Sequence, residues 1–119
     1  MRAKVEDLLG KTLESVVINN DRDVIDFVTT TGQRYRMEHY QDCCETVAIE
    51  DIAGEINDLV GAPILQAEVA TQDGLQDKLV SSTWTFYKLG TIKGTVTIRW
   101  LGTSNGYYSE EVDFSLVKP

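Results

Sequence analysis

The chain has 119 residues, 42% of them hydrophobic and 25% charged, which is the composition of an ordinary globular domain that can bury one core without a metal ion or disulfides. Eleven basic residues against nineteen acidic ones give a formal net charge of −8, which argues against general binding to duplex nucleic acid. No apolar run approaches the roughly 18 residues of a membrane span, and the first residues do not resemble a signal peptide. We therefore expect one soluble domain over residues 1–119.

The first two thirds of the chain predict short strands. Alternation of apolar and polar residues, bounded by Gly- and Asn-containing turns, favours strands at residues 12–19, 24–30, 33–40, 46–52 and 64–69. Short helices are predicted at 4–9 and 55–60, and a polar loop at 71–77. Connections this short join antiparallel neighbours. With the segment that follows, this predicts an α+β fold that is mainly antiparallel β-sheet, with about seven short strands and one or two short helices.

Residues 84–114 predict a three-stranded meander. Turns are expected at Lys93-Gly94 and at residues 104–106, since Gly is typical of hairpin turns. The first turn would pair Lys88 with Arg99. The second would pair Thr103 with Tyr107 and place Glu111 opposite Arg99. In this register one face carries the expected core side chains, Tyr87, Leu89, Val96, Ile98, Trp100, Val112 and Phe114.

The opposite face of the meander is the predicted binding surface. Two cations placed side by side destabilise a sheet unless something offsets them. Nearby carboxylates could do so and give a solvated face, or the cations could form an anion site beside aromatic rings. For the second alternative the candidate ligand-binding residues are Trp84, Phe86, Lys88, Arg99, Asn105 and Tyr107. The rings would stack on bases, Lys88 and Arg99 would meet phosphates, and Asn105 would read a base edge.

Residues 39–45 concentrate potential ligands and nucleophiles in one short segment. His39, Asp42, Cys43, Cys44 and Glu45 are all zinc-ligating types, but adjacent cysteines on an extended chain point apart. His39 is the one histidine of the sequence, so a Cys–His dyad is the one cysteine-based catalytic pair that could form. We predict that both cysteines are free, partly buried and not metal ligands. No catalytic residues and no cofactor are predicted, and we expect the protein not to be an enzyme.

Several strings in the sequence are distinctive. They are HYQDCCE at 39–45, IEDI at 49–52, DLVG at 58–61, PIL at 63–65, WTFYKL at 84–89, IRW at 98–100 and SNGYYS at 104–109. Together they resemble a small domain family widespread in tailed-phage genomes and long known only as a domain of unknown function. The resemblance covers about residues 12–115. It looks like the phage sponge family that sequesters cyclic nucleotide signals of bacterial anti-phage defence (CBASS).

The resemblance implies a phage protein for immune evasion that acts in the cytoplasm of the infected host. It would be a homo-oligomer, a dimer or a tetramer, that binds a small cyclic nucleotide and neither duplex nucleic acid nor a membrane. The alternative is an acidic phage protein that inhibits a host enzyme by protein–protein contact, as its net charge and the carboxylates of residues 45–58 allow. A structural component of the virion is a third interpretation.

Overall fold

The computed structural model describes residues 1–77 and 79–118 and consists mainly of antiparallel strands. Eight strands follow one another along the chain: β1 (Leu13–Ile18), β2 (Val24–Thr29), β3 (Arg34–Glu38), β4 (Thr46–Ala53), β5 (Gln66–Gln76), β6 (Ser81–Thr91), β7 (Gly94–Ser104) and β8 (Asp113–Val117). Helical structure in the described residues is confined to two 3-10 turns, Val5–Leu8 and Ile56–Leu59. None of the described helices is long and apolar enough to cross a membrane. The predicted fold class, mainly antiparallel sheet with one or two short helices, is confirmed.

The strands form two four-stranded sheets, one in the order β1-β2-β3-β8 and the other in the order β4-β7-β6-β5. One apolar cluster lies between them and takes side chains from both, with Phe27 and Met37 from the first sheet and Ile98 and Trp100 from the second. The chain therefore crosses between the sheets twice. The first crossing, residues 39–45, leads from β3 to β4, and the second crossing, residues 105–112, leads from β7 to β8.

The inner face of the β6–β7 hairpin is the one predicted from sequence. Tyr87, Leu89, Val96, Ile98 and Trp100 are all buried. The register differs from the prediction by two residues, because Thr91 rather than Ile92 closes the turn and pairs with Gly94. Lys88 consequently pairs with Thr97, and Arg99 with Phe86, so the predicted pairing of the two cations is wrong. A shift of two residues leaves every side chain on its original face.

The turn between β6 and β7 is positioned by its contacts with the second 3-10 helix. The hydroxyl of Thr91 donates to the carbonyl of Asp58 and accepts the backbone N–H of Lys93 at 3.1 Å. A Cβ atom on Gly94 would lie 2.7 Å from Oδ2 of Asp58. Gly94 therefore leaves room for the carboxylate of Asp58, and its φ is not positive, so the turn does not depend on the backbone freedom of glycine.

The third strand of the predicted meander is not formed. Residues 107–112 belong to the second crossing, and β8 pairs with β3 in the other sheet, with Phe114 opposite Met37. The predicted pairs of Thr103 with Tyr107 and of Arg99 with Glu111 are therefore wrong. The predicted polar loop at 71–77 is also wrong for most of its length, because β5 continues to Gln76. Its polar composition reflects a strand whose side chains from Glu68 to Asp73 are exposed.

Trp100 provides a test of the shared core. It is fully buried between the sheets, so Trp100→Ala should reduce the free energy of unfolding by about 3–5 kcal/mol through lost burial and a residual cavity. Trp84→Ala is the matched control, because Trp84 lies half-buried on the outer face of the same sheet and should cost much less. Urea unfolding followed by circular dichroism measures both variants. Equal losses would contradict the assignment of the two faces.

Candidate functional site

The outer face of the second sheet carries four of the six predicted binding residues. Trp84, Phe86 and Lys88 alternate along β6, and Arg99 projects from β7 on the same side. The two rings are half-buried and lie nearly parallel, with centroids 6.5 Å apart and an interplanar angle of 23°. The core lies on the other side of this sheet, so that both rings remain accessible in part. The structure thus brings together two aromatic surfaces and two cations.

Arg99 is held above Trp84 by a carboxylate that the sequence did not indicate. Its guanidinium carbon lies 5.2 Å from the centre of the indole ring, within the range of a cation–π contact. Its Nη2 atom donates to Glu50 at 2.7 Å. Glu50 reaches this position because β4 has a bulge there, with Ile49 opposite Trp100 and Asp51 opposite Arg99. The charge of Arg99 is balanced from β4, whereas the prediction had used Glu111.

The Nε atom of Arg99 is buried and has no hydrogen-bond partner within residues 1–77 and 79–118. A buried N–H group without a partner costs free energy, and its burial also keeps it from a ligand on the surface. The donors of Arg99 that a ligand can reach are therefore on the exposed end of the guanidinium group, where Nη2 is paired with Glu50.

Lys88 borders a shallow depression on the same face. The depression has a volume of about 340 Å³ and is lined by Glu68, Val69, Ala70, Phe86, Lys88 and Thr97. Lys88 is exposed and lies opposite Glu68 on β5, a cross-strand pair of opposite charge. The depression thus offers one ring face, one ammonium group and one carboxylate within a small area.

Asn105 and Tyr107 are not placed with the other four residues. Both lie in the second crossing, beyond the end of β7. The Oδ1 atom of Asn105 accepts the backbone N–H of Tyr107 at 3.0 Å, so this side chain closes its own turn. The ring of Tyr107 is 90% exposed. Their roles in ligand binding stay predictions that the outer face does not support.

The second crossing is anchored by a buried carboxylate that the sequence reasoning missed. Glu110 is 8% exposed and accepts hydroxyl groups from Thr83 at 2.7 Å, Ser104 at 2.5 Å and Ser81 at 3.3 Å. A Cβ atom on Gly102 would lie 2.5 Å from the carbonyl oxygen of Glu110, so the close approach requires glycine. Hydroxyl residues at alternate positions of β6 were the available signal, but their common partner lies 27 or more residues away.

The first crossing is organised around Glu45, whose carboxylate is completely buried. Its Oε2 atom accepts from Nε2 of His39 at 2.7 Å and from the backbone N–H of Asp42 at 2.9 Å. Its Oε1 atom accepts from the N–H of Cys43 at 2.9 Å and from the amide of Gln41 at 3.3 Å. Four donors therefore occupy one carboxylate. Such a group is suited to holding the loop in shape.

His39 connects the two crossings. Its Nδ1 atom lies 2.7 Å from the backbone carbonyl of Glu111, and its Nε2 atom lies 2.7 Å from Glu45. Both partners are acceptors, so both ring nitrogens donate and the imidazole is protonated. Burial lowers the pKa of His39, but the hydrogen bonds to Glu45 and Glu111 outweigh it, and the pKa is raised above 6.5. The hydrogen bond from His39, helped by the N–H groups of Cys43 and Asp42 and opposed by burial, lowers the pKa of Glu45 to about 2.

The prediction of free, partly buried cysteines is wrong. Cys43 and Cys44 are joined in a disulfide between neighbouring residues, and both are exposed. The divergence of adjacent side chains on an extended chain was our argument against a zinc site, but both cysteines lie at a bend of the first crossing. Both nitrogens of His39 are already occupied, so this histidine offers no base to either sulfur atom. Within the described parts of the chain, no group of three or more His, Cys, Asp or Glu side chains is placed to hold a metal ion.

The ion pair between His39 and Glu45 predicts a bell-shaped contribution to stability. The pKa of folded Glu45, about 2, lies below its ordinary value of 4.5, so its contribution is complete above pH 4.5 and is lost as the pH falls towards 2. The pKa of folded His39 lies above 6.5, so its contribution is complete below pH 6.5 and is lost as the pH rises through the raised value. The difference in melting temperature between the wild type and Glu45→Gln should be largest between pH 4.5 and 6.5.

Thermal unfolding followed by circular dichroism from pH 3 to 9 measures this difference. The matched control is Glu14→Gln, because Glu14 is an exposed carboxylate on β1. That variant should follow the wild-type profile throughout. A difference for Glu45→Gln that is independent of pH would contradict the assigned charges.

Comparison with known proteins identifies the family of this chain. No curated protein and no solved structure matches it significantly. The model of one protein family, described as a domain of unknown function (DUF7448), matches residues 6–114. The match includes both crossings and all eight strands except the last residues of β8. The chain therefore belongs to the DUF7448 family.

Proposed function

We propose that this protein is a phage-encoded sponge that binds a small cyclic nucleotide of bacterial anti-phage defence without chemical turnover. It would act as a homo-oligomer in the cytoplasm of the infected host. The observation that carries the proposal is the row of Trp84, Phe86 and Lys88 on the outer face of β6, with Arg99 beside it. Rings for bases and cations for phosphates stand next to one another on a rigid sheet.

The two rings suit the flat faces of nucleobases. Stacking of a base on an aromatic side chain contributes about 1–3 kcal/mol and requires no particular base. Phe86 is the better placed of the two rings, because it lines the depression, whereas Arg99 lies over Trp84. A base on Phe86 would lie beside Lys88, the next residue on the same side of β6.

The cations suit phosphate groups in different ways. Lys88 is exposed and can approach a phosphate as a mobile point charge. Arg99 is held in place by Glu50, and the exposed end of its guanidinium group can donate to a phosphate oxygen. The carboxylates of Glu50 and Glu68 would repel a phosphate placed directly over them. They therefore suit the ribose hydroxyls, which can donate to a carboxylate.

The alternative proposal is an inhibitor that covers a basic surface of a host enzyme. It is favoured by the exposed carboxylates along and after β4, those of Glu50, Asp51 and Glu55. Glu45, which the sequence had added to this group, is buried and is not available to a partner. An inhibitor of this kind would show no change in stability with any nucleotide.

Thermal shift with a panel of ligands distinguishes the two proposals. The panel contains cyclic dinucleotides, cyclic trinucleotides and cyclic ADP-ribose isomers. A ligand present at one hundred times its Kd should stabilise the folded state by about 2.7 kcal/mol. The protein should then release the ligand unmodified after heat denaturation, as chromatography of the supernatant would show. Stabilisation followed by release of a hydrolysed ligand would contradict a sponge.

Variants of the outer face test the proposed contacts with the ligand that gives the largest shift. Phe86→Ala should weaken binding by about 1–3 kcal/mol through lost stacking. Arg99→Lys should weaken binding more than Lys88→Ala, because an ammonium group cannot reproduce the two parallel bonds of a guanidinium group. Tyr107→Ala tests the other predicted position: this exposed tyrosine lies off the face, so a site on the outer face predicts wild-type affinity for this variant.

Calorimetry on variants whose circular dichroism matches the wild type gives these affinities. Unchanged affinity in Phe86→Ala and Arg99→Lys would remove the outer face as the site. Loss of affinity in Tyr107→Ala would instead place the site at the second crossing.

A further inference from the structure

A sheet with free edges offers unpaired backbone N–H and C=O groups to any other strand, and most proteins obstruct such edges. The two sheets of this protein have four edge strands, β1, β8, β4 and β5. In the first sheet, other segments contact β8 over residues 114–116 and β1 at Leu13, where a bulge also interrupts the pairing of β1. Residues 1–3 pair along β8, with the N–H of Ala3 donating to Phe114 at 2.9 Å. Residues 60–63 approach β1, with the N–H of Gly61 donating to Leu13 at 3.0 Å.

The β4 edge of the second sheet is obstructed in a different way. The bulge at Glu50 interrupts its regular pairing, and the exposed carboxylates of Glu50 and Asp51 follow one another there. The N–H of Ile49 donates to the carbonyl of Arg22 at 2.7 Å, so the turn between β1 and β2 also contacts this edge. Bulges, charges and covering segments are the usual means of preventing pairing at an edge.

Between Glu68 and Asp73 the β5 edge has neither a bulge nor a covering strand within residues 1–77 and 79–118. Its six residues are all exposed, and they pair regularly with β6 on the inner side. The strand contains neither proline nor lysine, and its two charged residues are Glu68 and Asp73. No strand or chain segment within residues 1–77 and 79–118 pairs with its outer side. Before this stretch, Ala67 is buried. The first 3-10 helix also packs against β5.

We infer that β5 pairs with β5 of a second copy of this chain, antiparallel and about a two-fold axis at Thr71. The two outer edges would then satisfy each other and form one continuous eight-stranded sheet. Val69 would lie opposite Asp73 of the second copy, Ala70 opposite Gln72, and Thr71 opposite its own copy. Threonine pairs across strands are among the favourable ones. This inference goes beyond the oligomer proposed above, because it names the strand and the register, and it does not depend on a nucleotide.

Pleating and burial favour this register over two nearby ones. A two-fold axis between Ala70 and Thr71 would oppose side chains from opposite faces of the strand, because successive side chains alternate between the faces. An axis at Ala70 would bring Asp73 of one copy opposite Ala67 of the other, which is buried. The axis at Thr71 uses residues 68–74 and places Glu68 opposite Gly74. It is the one register of the three that avoids both conflicts.

The state of association and one charge substitution test the inference. Light scattering at about 100 μM should give the wild type a mass of twice the 13.3 kDa of the chain. Thr71→Lys places two ammonium groups opposite each other at the axis and should give a monomer. Thr46→Lys is the matched control, an exposed threonine on the other edge strand of the same sheet, and it should remain a dimer. Circular dichroism checks that both variants fold.

Cysteine cross-linking tests the register itself. Thr71→Cys should form a covalent dimer under mild oxidation, because directly opposite Cα atoms lie about 4.5–5.5 Å apart. Gln72→Cys should not, since each Gln72 would lie two residues from its own copy along the pair, beyond the roughly 7 Å limit for a disulfide. The wild type under the same oxidant shows any contribution of Cys43 and Cys44.

Three results would overturn the inference. One is a monomeric wild type. Another is a dimer that survives Thr71→Lys and does not cross-link through Thr71→Cys, which would place the contact on another surface. The third is cross-linking of Gln72→Cys as efficient as that of Thr71→Cys, which would show random collisions. A dimer with the expected cross-link but no nucleotide-dependent shift would leave this inference standing and remove the proposed function.

Discussion

The hydrogen bonds of His39 are the interaction on which the arrangement of the two sheets depends. The chain passes between the sheets at residues 39–45 and again at 105–112. Where it departs from a regular strand, its buried backbone polar groups lose their partners in the sheet and need other hydrogen bonds. His39 donates to Glu45 in the first crossing and to the carbonyl of Glu111 in the second. The N–H of Tyr40 adds a bond to Asp113, at the start of β8. A single protonated side chain thus fixes the ends of β3, β4 and β8 relative to one another.

Each crossing also contains one buried carboxylate, Glu45 in the first and Glu110 in the second. Burial of an ionised group is costly unless hydrogen bonds replace its hydration, and both groups have several donors. The string HYQDCCE supplies Glu45 and its donors, and the string SNGYYS supplies Ser104, a donor to Glu110. Their unusual composition satisfies the backbone and side chains of two irregular passages between regular sheets.

The sequence was sufficient for most of the strands and for their faces, because these depend on a period of two residues that is visible in any single strand. The polar second half of β5 is the exception. The register of the β6–β7 hairpin was less accessible, since Thr91 is positioned by Asp58, which is 33 residues away. The strand with which β8 pairs could not be predicted from the sequence. Val112 and Phe114 fit an apolar face of either sheet, and the pairing with β3 joins residues about 80 positions apart, such as Met37 and Phe114. Alternation identifies the side of a strand but not its neighbour.

In the candidate site, too, the sequence predicted the faces of the strands but not their partners. Trp84, Phe86, Lys88 and Arg99 share a face because their spacing is even within each strand and the hairpin turn keeps both strands in one sheet. Asn105 and Tyr107 were added to that face through a strand that does not form. The carboxylate that balances Arg99 comes from a bulge in β4, and a bulge depends on the pairing of both strands. The predicted repulsion between Lys88 and Arg99 also depended on strand pairing. In the structure Lys88 lies opposite Thr97 on one side and opposite Glu68 on the other, so the two cations are not paired.

Pairing through β5 would join the outer faces of two copies into one surface. In each copy Phe86 lies opposite Ala70, and Trp84 lies opposite Gln72. With the two-fold axis at Thr71, Ala70 of one copy would lie opposite Gln72 of the other. One row across four neighbouring strands would then contain Phe86 and Ala70 of one copy, followed by Gln72 and Trp84 of the other. Adjacent strands are separated by about 4.8 Å, so the two rings would lie about 14 Å apart on one continuous surface. Two such rows related by the axis would present equivalent rings and cations to a ligand with two bases. A two-fold surface of this kind favours a two-fold ligand, because each half of the ligand can make the same contacts.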